Sequence, residues 1–229
     1  MSDWKKISAE IIESFFKQTR DYVAQVLRSN DDYMKSLHAY YEQAWTVPKC
    51  FKGNSSGMGF VPELLVFEAV RQHLEKKCGF SFSGSSRSMT SDNRTETAYF
   101  VDGNEPTRLL VQGLRIRSNP YGYPPTDFQH DVTYLVKDTT WKVKAVIEVK
   151  GYFESSSLKG DIDKLEHAEN SYPKADDPIL AFIGFASISG PARAVIRPFV
   201  EKKNHYIVLP GTGDPAIGII KLEDLLDKL

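Results

Sequence analysis

The spacing of apolar positions divides the chain into a helical front and a strand-rich remainder. Trp4, Ile7, Ile11, Phe15, Tyr22 and Val26 recur at three- and four-residue steps with Lys, Glu, Gln and Arg between them, the stripe of an amphipathic helix. Ser29-Asn30-Asp31-Asp32 reads as a stop followed by a new N-cap, after which Met34, Leu37, Tyr41 and Trp45 continue the stripe as far as Pro48. Residues 3–45 are therefore expected to be two helices, forming an N-terminal arm over 1–48 that packs or dimerises. A glycine-rich connector follows over 52–59, without the GK[ST] ending or the preceding strand of a phosphate-binding loop. Pro62, suited to a first turn, then opens a helix over 63–77 that Cys78-Gly79 ends.

From residue 80 onward the period becomes that of strands. Residues 81–95 (SFSGSSRSMTSDNRT) read as a polar loop, and 96–103 and 108–117 carry strand-like content, separated by the turn signal Asp102-Gly103-Asn104. A Pro/Gly/Tyr loop over 119–125 leads to strands at 128–136 and 141–150, joined by Lys137-Asp138-Thr139-Thr140. A helix is expected over 158–170, and the run ILAFIGFASI at 179–188 has the continuous apolarity of a strand covered on both faces. A helix over 191–203, a short strand at 206–209, a strand at 217–220 and a helix at 222–229 complete the chain. The fold class is thus α/β on one mixed sheet, with the arm followed by a domain over 49–229.

Composition narrows the function classes. With 41% hydrophobic and 26% charged residues the chain is expected to be globular, not disordered. Its 29 basic and 30 acidic residues balance, so nucleic-acid binding would have to come from a local patch. Cys50 and Cys78 form no CxxC pair and read as reduced thiols. The N-terminal MSDWKKISAEIIESFF lacks the apolar core of a signal peptide, and no window approaches ~18 apolar residues. A cytoplasmic protein without a membrane span is expected.

The chemistry concentrates in residues 127–151, DFQHDVTYLVKDTTWKVKAVIEVKG. If the turn closes a hairpin, Asp131 faces a residue between 146 and 148. Alternation puts Lys144, Val146, Glu148 and Lys150 on one face and Val143, Ala145, Ile147 and Val149 on the other. Asp131 then lies beside Glu148 and Lys150. Burying either charge unpaired costs several kcal/mol, so the pair is retained for structure or for function. Two converging carboxylates repel unless a cation sits between them, and hard oxygen ligands suit Mg²⁺ or Mn²⁺. A neighbouring lysine can orient a water or stabilise a phosphorane-like transition state. The bland alternative is a structural Glu148–Lys150 ion pair in an unrelated α/β protein.

Asp131 on one strand and Glu148-Val149-Lys150 on the next resemble the motif of the PD-(D/E)xK nuclease superfamily, whose restriction-endonuclease-like core has the order αβββαβ that residues 60–188 reproduce. His130 stands where that motif carries proline. The resemblance implies Asp131 and Glu148 as metal ligands, Lys150 as the residue that positions the attacking water, and Mg²⁺ as cofactor with Mn²⁺ as substitute. It implies a DNA endonuclease, a prokaryotic restriction or defence enzyme, and an acidic residue from the first core helix. Glu63 and Glu68 compete for that last place. Glu63 shares a stripe with Phe67, Val70 and Leu74 and stands at the expected helix start, where it either completes the site or merely caps the helix. Gln129, on the Asp131 face, is a candidate contact to a phosphate or metal-bound water, whereas His130 is expected to point to the opposite face. Lys159 and Lys164 on the next helix read as a solvated face, with a phosphate contact as the alternative. Arg87, Arg94, Arg108, Arg115, Arg117 and the aromatic loop 119–123 are candidate DNA contacts. A homodimer is expected from the helical arm and from the need to cut two strands. The alternative function is a non-catalytic nucleic-acid-binding module on the same fold, against which stand the intact Asp131, Glu148 and Lys150.

Overall fold

The computed structural model describes residues 9–29, 32–44, 55–79, 81–84, 98–101, 107–112, 130–151, 155–171, 173–186, 190–211 and 218–229. Six helices and eight strands occur among them, and the strands form one sheet in chain order. Strands β1 (Ser83–Gly84), β2 (Ala98–Val101), β3 (Arg108–Gln112), β4 (Val132–Lys137) and β5 (Trp141–Lys150) make an antiparallel meander. From β5 the sheet continues in parallel through β6 (Lys174–Gly184), β7 (His205–Val208) and β8 (Ile219–Ile220). The mixed α/β architecture expected from the sequence is present, and β5 is the strand shared by its two halves.

Helices cover both faces. On one side α1 (Ala9–Val26), α2 (Tyr33–Ala44), α3 (Ser55–Cys78) and α6 (Leu222–Lys228) bury Val23, Leu37, Phe67 and Leu225 against Leu110, Val132, Ile147 and Ile183 of the sheet. On the other, α4 (Ser155–Ser171) and α5 (Gly190–Val200) bury Leu158, Leu165, Ile196 and Phe199 against Val111, Val146, Leu180 and Phe182. Sheet residues belonging to both cores explain why β6 reads as a nearly continuous apolar run from Ile179 onward. No described helix is long and apolar enough to cross a membrane.

The helices of the expected arm share the larger core. Asp32 Oδ1 accepts the Lys35 amide at 2.9 Å, the cap that starts α2, and Glu223 Oε1 of α6 accepts the Tyr33 amide at 2.9 Å. Tyr41 meets Phe185 edge-on, with ring centroids 5.4 Å apart.

Three sequence expectations need correction. The first concerns α3, which starts at Ser55 and carries Pro62 within it, so the expected connector over 52–59 is helical from residue 55. Burial of Val61, Pro62, Leu64 and Leu65 outweighs the weak helix propensity of the preceding glycines. The second concerns the hairpin. Strand β4 starts only at Val132, and residues 128–129 lie outside the described set. The third is a bulge in β5. Leu135 pairs with Val143 but Tyr134 pairs with Ala145, which leaves Lys144 without a partner across the hairpin. The extra residue reverses the alternation, so Val143 joins Val146 in the α4–α5 core instead of sharing a face with Ala145 and Ile147.

Because Leu37 is wholly buried in the core shared by α2, α3 and the sheet, Leu37→Ala should cost about 2–5 kcal/mol in urea unfolding. A loss below about 1 kcal/mol would mean that α2 is a detachable arm.

Candidate active site

The candidate site forms where β4 parts from β5. The register beyond the bulge pairs Val132 with Ile147, so Asp131, one residue before β4, lies beside Glu148. There β4 has ended, while β5 runs on through Glu148 and Lys150 alongside Phe182 and Gly184 of β6. Asp131 fills the gap with its side chain, its Oδ2 accepting the Val149 amide at 2.7 Å. That single bond satisfies a backbone donor the ladder no longer reaches and holds the carboxyl group against Glu148. The Asp131 and Glu148 carboxyl groups are neighbours here, and the Glu148 charge bears directly on Asp131. Glu148 and Lys150 project from the face of β5 that meets α4, as alternation predicts.

Glu63 comes from the other layer. It lies more than two turns inside α3, on the stripe of Phe67, Val70 and Leu74, all fully buried. It is therefore not at a helix start and draws no help from the helix dipole, contrary to the sequence expectation. The charges of Asp131 and Glu148 bear on its carboxyl group. Glu68 is committed elsewhere: Arg71 donates to its Oε2 from Nε at 2.9 Å and reaches it from Nη2 at 2.8 Å, while also gripping Glu75. Of the two competing acids, the fold brings Glu63 to the site.

Two residues at the site were read otherwise from the sequence, and a third, Asp161, was not singled out there. His130 was expected on the opposite face; because it precedes β4, strand alternation does not govern it, and its Nδ1 lies 2.7 Å from Glu148 Oε1. Lys164, expected on a solvated face, is only partly exposed, with Nζ 3.9 Å from Glu148 Oε2 and 3.2 Å from Asp161 Oδ1. Asp161 is buried on α4 and also takes Lys150 Nζ at 3.3 Å. Its signal was present in the sequence: it occupies a core position in the stripe of Leu158, Ile162 and Leu165, where an acid needs a reason. Lys159 does face solvent, paired with Asp163 at 2.9 Å. Gln129, Arg87, Arg94, Arg115, Arg117 and the 119–123 loop lie outside the described residues, and Arg108 opens β3 opposite Val136.

Burial dominates the electrostatics. It pushes the Glu148 carboxyl up to about 8, Asp161 adds to the rise, and Lys164 and Lys150 work against it. Burial, then the Glu148 charge, hold Asp131 well above the usual carboxylate range despite the Val149 amide. Glu63 is raised well above its ordinary value by burial and then by Asp131 and Glu148. His130 is lowered to about 4 by burial and by Lys164, so it is neutral at pH 7. Burial disfavours the Lys164 charge, but Glu148 and Asp161 more than offset this and hold its pKa above the ordinary lysine value. The three acids are thus poised between sharing protons and sharing a cation.

A divalent hard cation fits this chemistry. The donors are carboxylate oxygens, their mutual repulsion is what a dication relieves, and buried Glu148 Oε2 has no hydrogen-bond partner among the described residues. Among the described residues, no three His, Cys, Asp or Glu side chains are grouped so that they could hold a metal ion. Mg²⁺ characteristically binds through one or two carboxylates, completing its shell with water and substrate oxygens.

The shifts predict how stability depends on pH without metal. Glu148 ionises at 4.5 ordinarily and at about 8 when folded, so the stability gained from keeping its proton is lost as pH rises through 8. His130 acts oppositely, losing stability as pH falls from 6.5 towards 4. Between pH 6.5 and 8 only the acids act, and the Tm in EDTA should fall by several degrees. Glu148→Gln should flatten that slope; a wild-type Tm that is level or rises over this window contradicts the buried cluster. A scan against protein-family models and a search of curated proteins find no match to this chain, so the chemical reading rests on the geometry of the site.

Proposed function

We propose that the chain is a metal-dependent endonuclease of the restriction-endonuclease-like fold, hydrolysing DNA phosphodiester bonds in the cytoplasm of a prokaryote as a restriction or defence enzyme. One observation carries the reading. Asp131 and Glu148 converge at the point where two central strands part, with Lys150 on the side of Glu148. The element order supports it: α3 is followed by five strands, β1 to β5, then α4 and β6, which contains the αβββαβ order of that family's core once β1 and β2 are taken as additions before β3.

Asp131, Glu148 and Glu63 are the residues that would hold Mg²⁺, or Mn²⁺ in its place. Bound there, the cation supplies a Lewis acid for a phosphoryl oxygen and for the attacking water. The protein's own groups do the remainder. The Val149 amide orients Asp131, and His130 Nδ1 orients Glu148, as partners of ligating carboxylates do. Lys150 positions the water for in-line attack and meets negative charge as it develops on the phosphate. A homodimer would place two such sites on the two strands of a duplex.

Cleavage of unmodified genomic DNA tests this reading. It should require Mg²⁺ or Mn²⁺ and stop in EDTA, and Asp131→Ala or Glu148→Ala should lower the rate by more than about 1000-fold. Both variants should stay folded, since each removes one of two repelling acids. Lys150→Ala should cripple cutting while calorimetry still detects Mn²⁺ binding. If several unmodified genomes survive the wild-type protein with either metal while DNA binding persists in all variants, the protein is a binding module and the enzyme reading fails.

A further inference from the structure

Lys164 and Asp161 belong to α4, outside the motif that defines the proposed site. Two ammonium groups there share one carboxylate oxygen: Lys150 Nζ is 3.3 Å and Lys164 Nζ 3.2 Å from Asp161 Oδ1. The Asp161 side chain is only 5% exposed, whereas Lys150 and Lys164 are 32% and 33% exposed. The acid is therefore shut away from any ligand, while both cations reach solvent over the carboxylate pair. Lys164 is also 3.9 Å from Glu148 Oε2, too long for a hydrogen bond and close enough for its charge to be felt.

Two like charges brought this close repel, and each is also drawn towards Glu148 and Asp131. A lysine seated on either acid would compete with a bound dication. A buried carboxylate between the two ammonium groups removes both difficulties: it offsets their repulsion and holds them back from the metal-binding oxygens. The charge balance agrees. Four carboxylates, those of Glu63, Asp131, Glu148 and Asp161, face two lysines, and one divalent cation brings the ensemble to neutrality. An incoming phosphodiester then meets two donors whose long side chains can swing to it.

We infer that Lys164 is a second phosphate-facing cation of the site, acting beside Lys150, and that Asp161 is the positioning residue that sets both. The inference rests on the nuclease reading and deepens it. Lys164 contacts a non-bridging phosphate oxygen as charge grows there; Asp161 touches no substrate and works through the two lysines.

The test is single-turnover cutting of unmodified genomic DNA in Mg²⁺, with Asp131→Ala as the inactive reference and thermal melts to verify folding. Lys164→Gln should cut roughly 100-fold more slowly and bind Mn²⁺ at least as tightly as wild type, because the lost ammonium opposed the dication. Lys164→Arg, which keeps the charge, should retain most of the rate. Asp161→Asn should slow cutting by about 10- to 100-fold, with Asp161→Glu recovering part of the loss. Because Asp161 acts through the lysines, Asp161→Asn with Lys164→Gln should be no slower than the worse single variant by more than a few-fold. Lys164→Gln cutting at the wild-type rate overturns the inference and leaves the nuclease reading standing. So does a double variant whose loss is the product of the two single losses. A wild-type protein that cuts nothing brings down the nuclease reading, and this inference with it.

Discussion

Every feature of the site follows from the cost of holding carboxyl groups together away from water. Glu148 is fully buried on a central strand, Asp131 lies beside it, and Glu63 adds a third acid from the opposite layer. On a loose loop, one of them would turn outward and the conflict would vanish. Here each is fixed by a different part of the fold. Glu63 rides on a helix whose adjacent side chains are locked in the core. Asp131 is tied to the Val149 amide, and Glu148 sits on a strand paired with β6. Packing elsewhere in the molecule is thus converted into a group of neighbouring acids, each raised above its ordinary pKa by burial.

What could be read from the sequence was what repeats with a fixed period. The hairpin register was legible because a tight turn and an alternating strand leave few choices. The turn is closed locally, with Asp138 accepting from the Thr139 and Thr140 amides and pairing with Lys142. That arithmetic left Asp131 facing a residue between 146 and 148, and the bulge in β5 is what brings it beside Glu148. Glu63 followed from the helical stripe, and Glu68 could be set aside only once Arg71 was seen to engage it. The misses lie where periodicity breaks. The bulge at Lys144 is a single extra residue that no alternation rule announces. His130 lies just outside its strand, and α3 extends through glycines and a proline because burial outweighs propensity. Asp161 and Lys164 meet the site only through the packing of α4 on the sheet, a long-range contact that sequence spacing does not encode.

Bulk charge is also a poor guide to a site of this kind. The chain is close to neutral as a whole, yet within one cluster four acids and two lysines are held within reach of each other. Their fields are strong because burial removes the water that would screen them. A count over the whole chain averages this away.

The position of β5 has a consequence for the order in which the molecule assembles. The meander from β1 to β5 joins neighbours in the chain, and its β4–β5 pairing closes a short turn. The parallel half requires crossovers through α4 and α5 before β6 and β7 can dock, which is slower for entropic reasons. Asp131 belongs to the first half, while Asp161 and Lys164 belong to the first crossover of the second. A nascent chain that has formed only its hairpin therefore displays two carboxyl groups without the α4 side chains that flank them in the native fold. The complete constellation is a late product of folding, confined to molecules in which both halves of the sheet have met across one strand.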